Sequence, residues 1–327
     1  MKLINQLIKP EIGYTLGAIF GLISACLAIF YSKKTNQPNE SIIELFLRTR
    51  SWAFIAGGLA TIVLLPPYVG TVMIAYLSFL GFREMASITG FRSADRTALL
   101  AAYGAIPVQY YLAYHQQLDL FFAFIPIGMF TLIPFILISG GKTKAIGRSM
   151  ALIPSLLMLT VFMISHIGLL FNLPISDFDL GYGGLILYLL LLTALNDVFQ
   201  YTWGKLLGKR KIIPAISPNK TWAGFLGGII TTGFCACLLR FLTPLSGEQA
   251  LVMGWSLGLA GFAGDILISA IKRDLDLKDT DDIIPGHGGI MDRMDSLVLT
   301  APVFYYLLTF FMEQPISIFD RLLIAFL

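Results

Sequence analysis

Charged residues are scarce in this chain: Asp, Glu, Lys and Arg together make up 13% of 327 residues. The net charge of +3 is too small to suggest a nucleic-acid partner. Cysteine is rarer still. Cys26, Cys235 and Cys237 all sit within apolar runs, which excludes a disulfide framework and a cysteine-based zinc site. The strict apolar–polar alternation of a membrane barrel is missing as well. What the chain has in quantity is apolar sequence, 56% of its residues, with a mean hydropathy of +0.77. Its apolar runs approach the roughly 20 residues that carry a helix across the hydrocarbon core. Only helices or closed barrels satisfy their backbone in lipid. An all-α polytopic integral membrane protein is therefore expected.

Ten spans are predicted, near 12–31, 52–65, 68–82, 97–114, 119–139, 149–172, 182–201, 222–243, 250–271 and 297–312. The first ends at Tyr31-Ser32-Lys33-Lys34 without a small-residue cleavage site, so a retained span is expected rather than a signal peptide. Residues 52–82 form one apolar block, but Pro66-Pro67 breaks a helix and both flanks are basic, which predicts a hairpin. The stretch before Trp52 reads as an interfacial helix. Counting positive loops places Lys142, Lys144 and Arg148, the 205–220 segment and the 272–296 segment on the cytoplasmic side, with both termini outside. That orientation predicts an inner (plasma) membrane of bacterial type with a cytoplasm-facing site. Gly13, Gly17 and Gly21 suit close helix packing or, more sharply, contact with a second copy in a homodimer. Gly254, Gly258, Gly261 and Gly264 read as packing residues. Three regions are expected: N-terminal helices at 1–180, a catalytic membrane region at 181–312 and a short tail at 313–327.

Polarity concentrates in Ser269–Asp295, which holds seven acidic residues, four basic ones and a histidine between two apolar segments. Asp197 and Asp265 break their spans near the same end, where an ionisable group is costly unless it faces water or a bundle interior. Asp265, Ser269 and Lys272, at i, i+4 and i+7, share one helix face, and Arg273 lies beside it. Asp292 and Asp295 follow after the loop, although Asp295 or Ser296 also suits a helix cap. Carboxylates facing cations and glycines describe a hard-metal phosphate site, in which Mg²⁺ is held by one or two carboxylates plus substrate phosphates. Ser217-Pro218-Asn219-Lys220-Thr221-Trp222 predicts a second helix start, whose free N–H groups and Lys220 attract phosphate. Gly204–Lys209 is one residue short of a P-loop and lacks its Ser/Thr. His166, alone on an apolar segment, reads as a structural hydrogen-bonding histidine.

Ser269, Lys272-Arg273, Lys278-Asp279, His287-Gly288-Gly289 and Asp292-Arg293-Met294-Asp295 together resemble the signature of the phosphatidate cytidylyltransferases, or CDP-diacylglycerol synthases. The Ser217–Trp222 stretch with Gly224, Gly227 and Gly228 is also similar. The likeness is dense from about 190 to 300 and earlier amounts mainly to Arg83-Glu84. Asp281 departs from it, standing where the family has a small residue, and Asn196-Asp197 with Gln200 suggests a divergent branch. The resemblance implies transfer of CMP from CTP to phosphatidate within the bilayer, giving CDP-diacylglycerol and pyrophosphate for phospholipid biosynthesis. It implies Mg²⁺ on Asp265 and Asp292, with scope for a second cation, and Asp295 assisting. Lys220 and Lys272–Arg273 would hold phosphates, and His287-Gly288-Gly289 would shape the pocket. Ser217, Asn219, Thr221, Ser269, Lys278, Asp279, Arg293 and Asp197 complete the expected substrate contacts. Two rival readings stay open at this point. A CTP-dependent kinase of a polyprenol-type alcohol would move only the γ-phosphate, and a cation-coupled transporter would place its carboxylates toward the midplane beside broken helices.

Overall fold

A computed structural model describes residues 9–36, 39–175, 178–277 and 289–313. Among them the regular structure is helical, apart from one antiparallel bridge between Lys211 and Thr221. In chain order the helices are α1 (Pro10–Asn36), α2 (Glu40–Leu64), α3 (Pro67–Thr89), α4 (Arg96–Tyr114), α5 (Leu118–Ser139) and α6 (Ile146–Leu170). There follow α7 (Gly181–Leu207), α8 (Trp222–Leu238), α9 (Gly247–Asp274), the short α10 (Met291–Met294) and α11 (Leu297–Glu313). Each predicted span falls on one of these. Seven membrane-crossing stretches among the described residues are long and apolar enough to span a bilayer, the last being α10 and α11 taken together.

The remaining three predicted spans lie on α2, α4 and α8. Helix α8 has 17 residues, and α2 begins in the charged stretch of Glu40, Glu44, Arg48 and Arg50. The interfacial helix expected before Trp52 is not a separate element, because α2 runs unbroken into the apolar block. Pro66-Pro67 ends it as expected: Pro67 opens α3 at its first position, where a missing N–H costs nothing. Helices α5 and α6 each contain a widened π-turn, at Phe124–Met129 and Met158–Phe162, close to Pro126 and Pro154. Such turns absorb the hydrogen bond that proline removes, so both helices continue through them.

Contacts between loops sort the bundle into two ends. At one end Tyr182 Oη donates to the Leu65 carbonyl at 2.8 Å, Asn172 Nδ2 to Tyr114 O at 2.7 Å and Gln116 Nε2 to Leu169 O at 2.9 Å. At the other, Arg148 donates to Thr89 O at 3.0 Å and Arg273 Nε to Ile216 O at 3.2 Å. The loops that charge counting assigned to one side thus meet one another. The α7–α8–α9 core depends on small residues: a Cβ on Gly254 would stand 2.5 Å from Ala236 Cβ and 2.7 Å from Gly233 Cα. On α1 the glycine stripe does otherwise. A Cβ on Gly17 or Gly21 would meet nothing within 4 Å, so among the described residues these two glycines serve no close packing. Large apolar side chains such as Tyr14, Phe54, Tyr76, Phe135 and Leu238 point outward, as a lipid-facing surface requires.

His166 is fully buried, and its Nδ1 donates to the carbonyls of Phe162 and Met163 at 3.0 and 3.2 Å. Rings of Phe121, Phe162 and Tyr305 surround it, the structural setting expected.

A polar clamp fixes the α3–α4 corner. Asp95, with no exposed surface, receives the Arg92 guanidinium at 2.6 Å and the Ser149 hydroxyl at 2.7 Å. Arg92 also donates to the carbonyls of Lys142 and Lys144. Burial alone pushes the Asp95 carboxyl up, but the bonds from Arg92 and Ser149 outweigh it and hold the group below its ordinary range. A carboxyl depressed in the folded state stabilises above its unfolded pKa of about 3.9 and loses that contribution as pH falls through the lower folded value. Asp95→Asn is therefore expected to melt below the parent at neutral pH, the gap narrowing as the pH falls below about 4. Melting curves in detergent across that range check it, and a gap constant with pH would contradict the ionised clamp.

Candidate active site

The end of the bundle reached by Arg273 and Arg148 also gathers the polar residues of the C-terminal helices. Helix α7 brings Asn196, Asp197 and Gln200 to this end. After α7 the chain turns back on itself, with Ile212 N–H donating to Lys220 O and Trp222 N–H to Arg210 O, both at 3.1 Å. That pairing sets Lys220 beside α9. Its Nζ lies 2.5 Å from Asp265 Oδ2, donates to Gln200 Oε1 at 3.2 Å and stands over the Phe262 ring. Ser269, one turn beyond Asp265, donates to Asp265 Oδ1 at 3.2 Å. The next turn supplies Lys272, whose Nζ meets Asp292 Oδ1 at 2.6 Å, while Asp292 Oδ2 accepts the Gly289 N–H at 3.0 Å. The predicted stripe of Asp265, Ser269 and Lys272 therefore faces one site, and Asp292 returns to it from the far side of the loop.

Asp197 and Asp295 complete the set. Ser296 Oγ lies 3.1 Å from both oxygens of Asp197, and Asp295 Oδ1 accepts the Ser296 N–H at 2.8 Å. The chain can close this tightly because Gly264 lacks a side chain: a Cβ there would lie 2.5 Å from the Asp295 carbonyl. Asp197 and Asp265 are near enough to repel each other, and Asp295 repels both. Lys220 and Arg293 attract Asp197, and Lys272 attracts Asp295. Below lies a buried polar ladder, in which Thr232 donates to Asn196 Oδ1 at 3.2 Å and Thr193 to Thr300 Oγ1 at 3.1 Å. It ties α7, α8 and α11 together beneath the carboxylates.

Among the described residues, no three carboxylate, histidine or cysteine side chains stand ready as a metal cage. Asp197, Asp265 and Asp295 nonetheless offer carboxylate oxygens that repel one another, and Asp292 adds a fourth carboxylate at the same end, a donor type that suits a hard divalent cation sharing its shell with phosphates. A groove of about 420 Å³ lined by Tyr14, Ile19, Leu191 and Phe241 lies between α1 and α7. Its walls are almost wholly apolar, which makes it unsuited to this chemistry.

Other expected residues make contacts within or between their loops. Ser217 does not start α8: its N–H bonds to Ile213 O, Lys220 N–H bonds to Ser217 O, and 217–220 form a turn. Thr221 is the cap, its hydroxyl accepting the Gly224 N–H at 3.2 Å. The backbone pairing of 210–212 with 220–222 moved the helix start four residues along. Asn219 is exposed on that turn. Arg273 donates to the carbonyls of Ile216 and Leu277, lacing the two loops together. Lys278, Asp279, His287 and Gly288, like Asp281, lie outside the described residues.

Two residues were not among the expected site residues. Gln200, one turn after Asn196, holds Lys220 in place. Glu84, on α3, accepts the N–H groups of Ile290 and Met291 at 2.7 and 3.2 Å. The signal for Glu84 was an acid following an apolar run, and it is 3% exposed.

Residues 46–311 match the family described as the "Cytidylyltransferase family". Over 297 residues the chain is 35% identical to "Uncharacterized protein YnbB" of Escherichia coli (strain K12), covering 90% of this chain and 98% of that one. It is 40% identical over 150 residues to the "Phosphatidate cytidylyltransferase" of Bacillus subtilis (strain 168), covering 45% of this chain and 56% of the relative. A protein of the same name from Rickettsia bellii (strain RML369-C) is 39% identical over 119 residues, 34% of this chain and 52% of the relative. The chain thus spans about half the length of the phosphatidate cytidylyltransferases it matches. The family match begins well before the densest motifs and takes in the helix carrying Glu84. With its carboxylates and lysines paired at one end of a membrane bundle, this chain is an integral membrane nucleotidyltransferase and belongs to the cytidylyltransferase family.

Proposed function

We propose that this protein transfers CMP from CTP to phosphatidate, releasing pyrophosphate and forming CDP-diacylglycerol at the cytoplasmic face of an inner membrane. The observation that carries the reading is the meeting of Lys220 with Asp265 and of Lys272 with Asp292 at one end of the bundle. In this reaction an oxygen of the lipid phosphate forms a bond to the α-phosphorus of CTP as the bond to the pyrophosphate oxygen breaks. No protein nucleophile is required, so positioning and charge neutralisation supply the catalysis. Asp265 and Asp292 would hold Mg²⁺, which when bound screens the phosphate charges. Lys220 and Lys272, each now resting on a carboxylate, supply the cations that phosphates would engage. Ser269 orients Asp265, and Gln200 keeps Lys220 aimed at the site. The lipid enters sideways between helices, its tails remaining in the bilayer.

Purified protein incubated with phosphatidate, Mg²⁺ and CTP labelled at the α-phosphorus is expected to yield a labelled lipid. CTP labelled only at the γ-phosphorus should leave the lipid unlabelled and release labelled pyrophosphate. The reverse pattern, with a polyprenol-type alcohol as acceptor, would make the protein a kinase instead.

A further inference from the structure

Helix α3 carries a carboxylate where an apolar bundle has little use for one. Glu84 is 3% exposed, and both of its oxygens accept backbone N–H groups: Oε2 that of Ile290 at 2.7 Å and Oε1 that of Met291 at 3.2 Å. The partners stand 206 and 207 residues further along the chain. Ile290 precedes the short helix α10, so Glu84 sits at the start of that helix and takes N–H groups that have no partner within it. The preceding N–H, of Gly289, goes to Asp292 Oδ2. Three consecutive backbone donors are thus received by two carboxylates, one on α3 and one in the site itself. Gly81, one turn earlier on α3, would place a Cβ 3.6 Å from Met291 Sδ, so α3 packs directly against the same segment.

We propose that Glu84 is a positioning residue: it fixes the path of residues 289–292 and through them the direction in which Asp292 meets Lys272. The inference rests on the CMP-transfer reading only for its catalytic consequence. Its structural content stands apart from that reading. A glutamine in place of Glu84 keeps the volume but turns one acceptor into a donor facing an N–H, so one of the two backbone bonds is lost. Asp292 is then free to shift by a fraction of an ångström, and displacements near 1 Å cost about 10²-fold in rate. Substrate binding elsewhere in the site is untouched.

Glu84→Gln is therefore expected to lower kcat by about 10²-fold with KM for CTP within about twofold of the parent, because positioning rather than binding is lost. A parallel readout needs no activity. Hydrogen–deuterium exchange of the detergent-solubilised protein should show the amides of Ile290 and Met291 exchanging at least tenfold faster in Glu84→Gln, with α7 and α9 unchanged. Glu84→Asp keeps both acceptors on a shorter arm and is expected to recover part of the protection and of kcat. Unchanged exchange at 290–291 together with parental kcat would overturn the proposal, as would faster exchange spread evenly over α7 and α9. If the parent protein transfers no CMP while the exchange result holds, the functional reading fails and the role of Glu84 stands.

Discussion

Asp265→Asn is expected to reduce CMP transfer by about 10³-fold while leaving the bundle folded. Both halves of that expectation come from its surroundings. Asparagine has the same shape but a single acceptor oxygen: that oxygen can stay on Lys220 Nζ, now 2.5 Å from Oδ2, while the amide NH2 takes the place of Oδ1 and the Ser269 hydroxyl, now donating at 3.2 Å, turns to accept from it. Lys220 is 20% exposed at its side chain and can hydrate its charge when the carboxylate is gone. Stability should therefore change little. What disappears is the negative charge at the centre of the set, which Asp197 and Asp295 also feel. A residue that would hold Mg²⁺ and counterbalance a phosphate-binding lysine acts on the charge that develops in transfer, where losing one group costs about 10²–10³-fold. Loss of a ligand to that Mg²⁺ would add to this. Turnover by the label-transfer assay and melting in detergent read the two halves separately. Near-parental turnover in Asp265→Asn would remove Asp265 from the reaction.

Much of this arrangement could be read in the chain, and the part that could not has a common cause. The stripe of Asp265, Ser269 and Lys272 was legible because helix geometry alone puts i, i+4 and i+7 on one face. The helices were legible because each needs a long apolar run, and the loop groupings because positive charge marks one side. Local pattern carries no information about which cation meets which anion across helices, so the pairing of Lys220 with Asp265 and of Lys272 with Asp292 had to come from the structure. The same holds for Glu84, whose partners lie more than 200 residues away. Thr221 replaced Ser217 as the α8 cap for a related reason: an antiparallel bridge between Lys211 and Thr221 consumes the residues that a Ser-Pro start would have used. The glycines followed both patterns. Gly254 serves helix contact as its spacing suggests, whereas Gly17 and Gly21 touch no neighbouring helix among the described residues.

The largest effect on stability is expected from Lys272→Met. The Lys272 and Asp292 side chains are 9% and 7% exposed, and their charged atoms lie 2.6 Å apart. An ion pair so buried contributes little relative to an apolar pair of the same volume, because desolvation offsets the attraction. Removing one member is different. With methionine at 272, the Asp292 carboxylate stays buried and keeps its Gly289 N–H but loses the Lys272 ammonium, a loss of about 3–5 kcal/mol. Asp292→Asn should cost less, since the lysine stem is long enough to carry its ammonium toward the water at this end of the bundle. The double variant Lys272→Met/Asp292→Asn removes both charges and should recover much of what Lys272→Met loses. Thermal melting of the four proteins in one detergent measures that coupling directly. Equal and additive losses for the two single variants would mean that Lys272 and Asp292 do not depend on each other, and the pair would then be a surface contact rather than part of the site's internal frame.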